Sequence, residues 1–184
     1  MGDRFLPAGE RVEVIRDYAK RHGIRTFIES GTSVGATTEA LLGDFDRLFT
    51  IELDHGLYER AAKKFATDLK VICMEGDSTW VLPAIIEELA EPALLWLDGH
   101  YSGPGSAHGD LDTPIRAELE AAVLAPHGSV ILIDDARIFD GQPEHDDEPH
   151  YHDYPSLEWV QEVAWSHGFN YELKDDIVRL VPEA

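Results

Sequence analysis

Short apolar runs recur along the chain, and most of them close on an acid. Thr26–Glu29, Leu48–Glu52, Lys70–Met74, Ala93–Asp98 and Val130–Asp134 are brief and rich in β-branched or aromatic residues, so each predicts a strand. Before and between them lie segments whose apolar positions fall three and four apart. The first predicts a helix over Ala8–His22, with Val12, Ile15 and Ala19 on one face and Gly23 as its stop. Further helices are expected over Thr37–Leu42, Leu57–Ala66, Thr79–Leu89 and Ile115–Leu124. The runs "ALLWL" and "VILI" show no polar alternation, as parallel strands covered on both faces should. After a helix at Leu157–Ser166 come "FNYELK" and "IVRLV", parted only by Asp175-Asp176, and so short a link joins antiparallel neighbours.

The pattern predicts an α/β fold: a doubly wound, Rossmann-like sheet, mostly parallel, ending in an antiparallel hairpin. No repeat or long linker interrupts it, so residues 1–184 read as one domain. Within it, 1–24 is an N-terminal helical segment and 136–155 an acidic, His- and Asp-rich insertion or lid.

Composition removes several classes of partner. The net charge of −21 would repel nucleic acid and anionic lipid, so neither is expected as a partner, although acidity also serves solubility. No apolar run reaches the roughly 18 residues of a membrane span. The N-terminus has no apolar signal core, which makes a cytoplasmic location the expectation. Cys73 is the single cysteine, so no intrachain disulfide forms, and its strand context reads as a buried, inert thiol. Trp96 and Trp80 read mainly as core, with Trp80 also placed to flank a bound base. A small-molecule acceptor is the expected partner, and nothing in the composition opposes a homo-oligomer.

Ligands of doubly wound sheets sit beyond the carboxyl ends of the strands. Glu29, Glu52, Asp98 and Asp134 end four predicted strands, and Gly76-Asp77-Ser78 follows the remaining one. Any one of these acids could cap a helix; together they predict an acidic rim around one crevice. The first strand runs into "ESGTSVGATT", a glycine turn and helix start that sets Ser30, Gly31, Thr32, Ser33, Gly35 and Thr37 against a cofactor. A dinucleotide fingerprint needs small glycine positions where Ser33 and Ala36 stand. Glu52, 21 residues after Gly31, suits a ribose-binding acid. A bound pyrophosphate would meet Glu29 and Asp98, at about 4 kcal/mol per unit pair for a separation of about 4 Å and an effective dielectric of about 20. S-adenosylmethionine carries no phosphate and brings an ammonium and a sulfonium, so an acidic crevice prefers it to NAD(P).

"FIESGTSVGATTEALL" resembles the first motif of class I S-adenosylmethionine-dependent methyltransferases, with the acid, Gly31 and Gly35 in that family's spacing. The resemblance gives Glu52 the ribose hydroxyls, sets Asp77-Ser78 at the adenine, and makes Asp98 the start of the fourth motif. It spans about Arg25 to Val181. More narrowly, "LWLDGHYSG" with "SVILIDDAR" is similar to the metal-dependent sugar O-methyltransferases of the macrocin and mycinamicin type. That similarity implies magnesium, or manganese, on Asp98, Asp134 and Asp135. The chain departs from the pattern with a long Gly-rich segment, "GHYSGPGSAHGDLDTP", where that family has a short acidic loop.

Physical reasoning reaches the metal separately. Three carboxylates within about 4 Å repel by about 12 kcal/mol in total, comparable to a domain's whole stability of about 5–15 kcal/mol. A hard divalent cation would relieve this; alternatively, Asp134 and Asp135 point to opposite faces as strand neighbours do. His100, two residues beyond Asp98, is the candidate general base, with Asp98 beside it at the reaction centre. His108 and Asp110 are rivals in the same loop, and the loop Gly99–Thr113, closing on Gly103, Gly105 and Gly109, is expected to form the acceptor side. His145, His150 and His152 show no metal spacing. The expected activity is methyl transfer to the hydroxyl of a small acceptor such as a sugar. A non-catalytic S-adenosylmethionine-binding domain and an NAD(P)-dependent reductase are the alternatives.

Overall fold

The computed structural model describes residues 6–101, 109, 111–125, 129–141 and 153–183. Seven strands form one sheet: β1 (Thr26–Ser30), β2 (Arg47–Glu52), β3 (Val71–Glu75), β4 (Ala93–Leu97), β5 (Val130–Ile133), β6 (Phe169–Lys174) and β7 (Ile177–Pro182). Their spatial order is β3-β2-β1-β4-β5-β7-β6. The first five are parallel, and β7 runs antiparallel to both β5 and β6. The predicted α/β sheet and its terminal hairpin are therefore present.

Helices α1 (Ala8–His22), α2 (Ala36–Ala40), α3 (His55–Lys64), α4 (Ser78–Glu87), α5 (Ile115–Ala122) and α6 (Leu157–Ser166) complete the fold, with a 3-10 turn at Ala136–Gly141. Successive residues of the central strands enter different cores. Ile28, Leu95 and Ile131 pack with Leu82, Leu119 and Val160 on the α4, α5 and α6 side. Phe27, Leu94 and Leu132 pack with Val12, Ile15 and Leu41 on the α1 side. A strand alternates its side chains between faces, so two covered faces give the uninterrupted apolar runs seen in the sequence.

Local signals set the helix ends. Gly23 closes α1 in the left-handed conformation at φ 65°. Asp54 caps α3 by accepting from the Leu57 amide at 2.7 Å, which starts this helix two residues before its apolar pattern does. The helix after the glycine turn ends at Ala40, earlier than its apolar pattern implies, and Leu41–Asp44 continue as turns. Strand β3 lies at the sheet edge, which leaves Cys73 half-buried rather than buried. Burial nevertheless pushes its thiol pKa up, and nearby Glu29 adds to this, so the thiol stays protonated. Trp96 is core, but Trp80 is 79% exposed and is not. Among the described residues no helix is long and apolar enough to cross a membrane.

From β1 the sheet grows one way through β2 and β3 and the other way through β4 and β5. The order reverses beside β1, and that reversal opens the crevice in which such sheets hold ligands.

Candidate active site

The glycine turn at the end of β1 is built for close approach. Gly31 has φ 83°, and a Cβ there would lie 2.5 Å from the carbonyl oxygen of Asp98. Gly35 has φ 69°, and its Cβ would meet the Phe65 ring at 2.8 Å. Both positions therefore require glycine. The Gly31 and Thr32 amides donate to the Ile51 carbonyl at 3.0 and 3.2 Å, tying the turn to β2. Ser33, itself at φ 50°, donates its amide to Glu52 Oε2 at 2.7 Å. Asp54 donates its amide to Glu52 Oε1 at 2.9 Å. Both oxygens of Glu52 are thus fixed, and each keeps a lone pair for a ligand hydroxyl.

Glu29 departs from the predicted rim. It is buried under the turn, where Thr38 and Thr50 donate hydroxyls to Oε2 at 2.7 and 2.8 Å, and Thr37 also bonds it. Burial raises its pKa to about 7 against the pull of those hydroxyls. Its expected repulsion of a pyrophosphate is correspondingly weakened, and its visible work is to brace β1 against α2 and β2. Thr32 and Thr50 share a buried hydroxyl contact at 2.6 Å beside it. Asp77 caps α4 through the Thr79 amide at 2.9 Å, and Ser30 Oγ accepts from the Asp98 amide at 3.3 Å.

Beyond β4 and β5 the acids converge, in a set different from the one expected. Asp98 Oδ1 lies 3.5 Å from His100 Nδ1, and Asp135 Oδ2 lies 3.3 Å from His100 Nε2. Ligand-type atoms of Asp98, His100 and Asp135 all fall within 4.8 Å of one another. Asp134 is held instead by Arg11 of α1, whose Nη2 is also 3.5 Å from Asp135 Oδ1. Asp135 has φ 53°, a turn that ends strand alternation, so both acids reach the same guanidinium instead of facing opposite ways. Arg137 Nη1 adds a bond to Asp135 Oδ1 at 2.5 Å and pairs with Asp176 in the β6–β7 turn. Two guanidiniums thus relieve much of the repulsion that sequence alone assigned to a metal.

Relief is partial. Burial, followed by the charges of Asp134 and Asp135, pushes the Asp98 carboxyl well above its ordinary range. Burial and Asp135 raise Asp134 to about 7 despite Arg11. Burial lowers the pKa of His100, against the opposing pull of Asp135, so the imidazole is neutral at pH 7. Two carboxylates and an imidazole form a donor set that fits a divalent cation. A small cleft opens beside them, lined by Asp98, His100, Thr113, Glu118, Phe139 and Tyr154 among others. The Phe139 and Tyr154 rings meet edge to face at 5.2 Å and form its aromatic wall. At the base of the Gly99–Thr113 loop, the Tyr101 amide donates to the Asp112 carbonyl at 2.8 Å, and the Asp112 amide to Asp153 at 2.8 Å. Gly103, Gly105, His108 and Asp110 lie outside the described residues, as do His145, His150 and His152 and most of the predicted lid.

No family model matches the chain. Over 92 residues, half of this chain, it is 35% identical to ribosomal RNA small subunit methyltransferase A of Acidobacterium capsulatum. That match spans only 31% of the relative's length. Among solved structures it is similar to an O-methyltransferase from Bacillus cereus in complex with S-adenosylhomocysteine, with a TM-score of 0.62 and 16% identity. That similarity covers 98% of this chain and 84% of the other. The S-adenosylhomocysteine-bound methyltransferase of Podospora anserina gives a TM-score of 0.62 at 15% identity, covering 97% and 80%. The O-methyltransferase of tomaymycin synthesis from Streptomyces achromogenes, in complex with S-adenosylmethionine, gives 0.56 at 16%, covering 97% and 82%. The chain has the S-adenosylmethionine-dependent methyltransferase fold.

Within this methyltransferase fold four residues of the site escape sequence reasoning: Arg11, Arg137, Glu118 and Tyr154. Arg11 had a signal, since it stands four residues before Ile15 and so shares the apolar face of α1. Arg137 follows Asp135 by two in "DDAR" but looks like any surface base there. Glu118 reads as the solvated face of an amphipathic helix and is 1% exposed. Tyr154 belongs to the polar stretch read as an insertion or lid, where nothing marks it out from its neighbours.

Proposed function

We propose that this chain moves the methyl group of S-adenosylmethionine to a hydroxyl of a small acceptor such as a sugar, with His100 taking the hydroxyl proton. The observation that carries the reading is a neutral imidazole held between Asp98 and Asp135 on a cleft beside the glycine turn. The turn and Glu52 fit the cofactor: Gly31 and Gly35 let the turn pack tightly against Asp98 and Phe65, and Glu52 presents fixed oxygens to ribose hydroxyls. When bound, S-adenosylmethionine supplies an electrophilic methyl on a sulfonium.

The chain's own part is orientation and proton transfer. Asp135, anchored by Arg11 and Arg137, accepts from one ring nitrogen of His100 and fixes its tautomer. Nδ1, which faces Asp98 Oδ1 at 3.5 Å, keeps its lone pair for the acceptor hydroxyl as the new O–C bond forms and the methyl leaves the sulfonium. Phe139 and Tyr154 cover an apolar face of the acceptor. The net charge of −21 argues against RNA as acceptor, despite the activity named for the sequence relative.

A second reading is favoured by the convergence within 4.8 Å: a divalent cation on Asp98, His100 and Asp135. The two carboxylates suit magnesium or manganese, and the imidazole shifts the preference toward iron, nickel or zinc. Such an ion would acidify the acceptor hydroxyl and would occupy the His100 lone pair, so the two uses of His100 exclude each other.

Screening sugars and phenols for release of S-adenosylhomocysteine, with chelator or with magnesium or manganese, tests both. With His100 as base, activity survives chelation and rises with pH through a value below the ordinary histidine pKa of about 6.5. His100→Ala then lowers turnover by about 10²–10⁴-fold while cofactor affinity holds. Full activity in His100→Ala contradicts the base. Loss on chelation with recovery on manganese selects the metal reading.

A further inference from the structure

Asp176 lies outside the cleft, in the turn that joins β6 to β7. Lys174 pairs with Ile177, so Asp175 and Asp176 make up the whole turn. Their φ values are 55° and 63°, the left-handed region that such a hairpin turn needs at both positions and that glycine adopts most readily. The two acids then part ways. Asp175 stays within the hairpin and accepts from Arg179 Nη2 at 3.0 Å. Asp176 is 4% exposed and turns to the segment that follows Asp135. Its carbonyl accepts from the Ala136 amide at 2.9 Å, and its Oδ1 accepts from the Arg137 amide at 2.7 Å. Its Oδ2 pairs with the Arg137 guanidinium. A hairpin turn needs none of these bonds.

Arg137 carries the contact onward. Its Nη1 reaches both Asp176 Oδ2 and Asp135 Oδ1. Arg11 brings a second guanidinium to that same Oδ1 at 3.5 Å. One oxygen of Asp135 is thereby committed to arginines, and the other, Oδ2, faces His100 Nε2 at 3.3 Å. Asp135 holds a φ of 53°, a conformation that persists only where the surroundings impose it. The bonds from Asp176 to the next two residues supply that restraint.

We propose that Asp176 is a positioning residue: through Arg137 it fixes the carboxylate of Asp135 and so keeps the His100 proton on Nε2, with the Nδ1 lone pair turned to the acceptor. This inference rests on the reading of His100 as the base.

Nitrogen-15 NMR of the imidazoles, in chelator at about pH 8 and with neither cofactor nor acceptor, reads the tautomer directly. The His100 signals are identified by their loss in His100→Gln. In the wild-type chain Nε2 is expected at a protonated shift and Nδ1 at an unprotonated one. Asp176→Gly removes the carboxylate but suits the backbone at φ 63°, so the hairpin should persist while the two shifts converge. Asp175→Gly, at the neighbouring turn position, should leave both shifts in place. Arg137→Met should reproduce the convergence, and combining it with Asp176→Gly should add nothing, because the two act on His100 by one route. Unchanged shifts in Asp176→Gly overturn the proposal, as do convergence in Asp175→Gly and additive effects in the double variant. If Asp176→Gly does not fold, Arg137→Met decides alone, and unchanged shifts there overturn the proposal. A wild-type His100 that is mixed, or protonated on Nδ1, removes the reading of His100 as an oriented base as well. A proton fixed on Nε2 in wild type and variants alike removes this inference alone.

Discussion

Glu29 sits beneath the glycine turn among threonine hydroxyls, and burial raises its folded pKa to about 7 from an ordinary 4.5. Between those values the folded chain keeps a proton that the unfolded chain has released. Stability from this group is therefore complete at acid pH and falls as pH rises toward 7, by about 3 kcal/mol over the full shift. Glu118, also raised to about 7 by burial, acts in the same direction. General charge repulsion in so acidic a chain has the same sign, so the informative quantity is a difference between proteins. Glu29→Gln should flatten the dependence and raise the melting temperature at pH 8 relative to wild type. Thermal melts at pH 5 and pH 8 check this. An equally steep fall in Glu29→Gln would show that Glu29 is ionised in the folded protein.

At the scale of elements, α1 both covers one face of the sheet and supplies a charge to the site. Val12, Ile15 and Ala19 anchor it in the core, while Arg11 on that same face reaches Asp134 and Asp135 beyond β5. Removing Arg11 leaves a carboxylate whose side chain is 1% exposed without its ion pair. Arg11→Met should cost about 3 kcal/mol, the low end for a broken buried pair, because Arg137 still serves Asp135. Chemical denaturation measures it, and a loss within error would mean that the pair contributes nothing to folding. This contact also marks the limit of what the sequence discloses. Helix α1 and the succession of strands and helices along the chain follow from local periodicity, and residues 8–22 agree at both ends. The partner of Asp134 lies 123 positions away, and the turn at Asp135 depends on a backbone angle, so neither is written in a local pattern.

For the molecule as a whole, the order β3-β2-β1-β4-β5-β7-β6 places one crevice at the reversal beside β1. The glycine turn, Glu52, Ser78, Asp98 and His100 all border that crevice although they are spread over 70 positions, from Gly31 to His100. Acidic residues outnumber basic ones 36 to 15, which suits a cationic sulfonium ligand and disfavours a dinucleotide. Direct titration calorimetry of the wild-type chain with S-adenosylmethionine and with NADH tests this most simply, with Glu52→Ala as the internal control. S-adenosylmethionine is expected to bind with a Kd on the order of micromolar, NADH to give no heat, and Glu52→Ala to weaken binding by about 1.5–3 kcal/mol, the range of a charge-assisted hydrogen bond. Tight NADH binding with no response to S-adenosylmethionine would contradict the account at its centre.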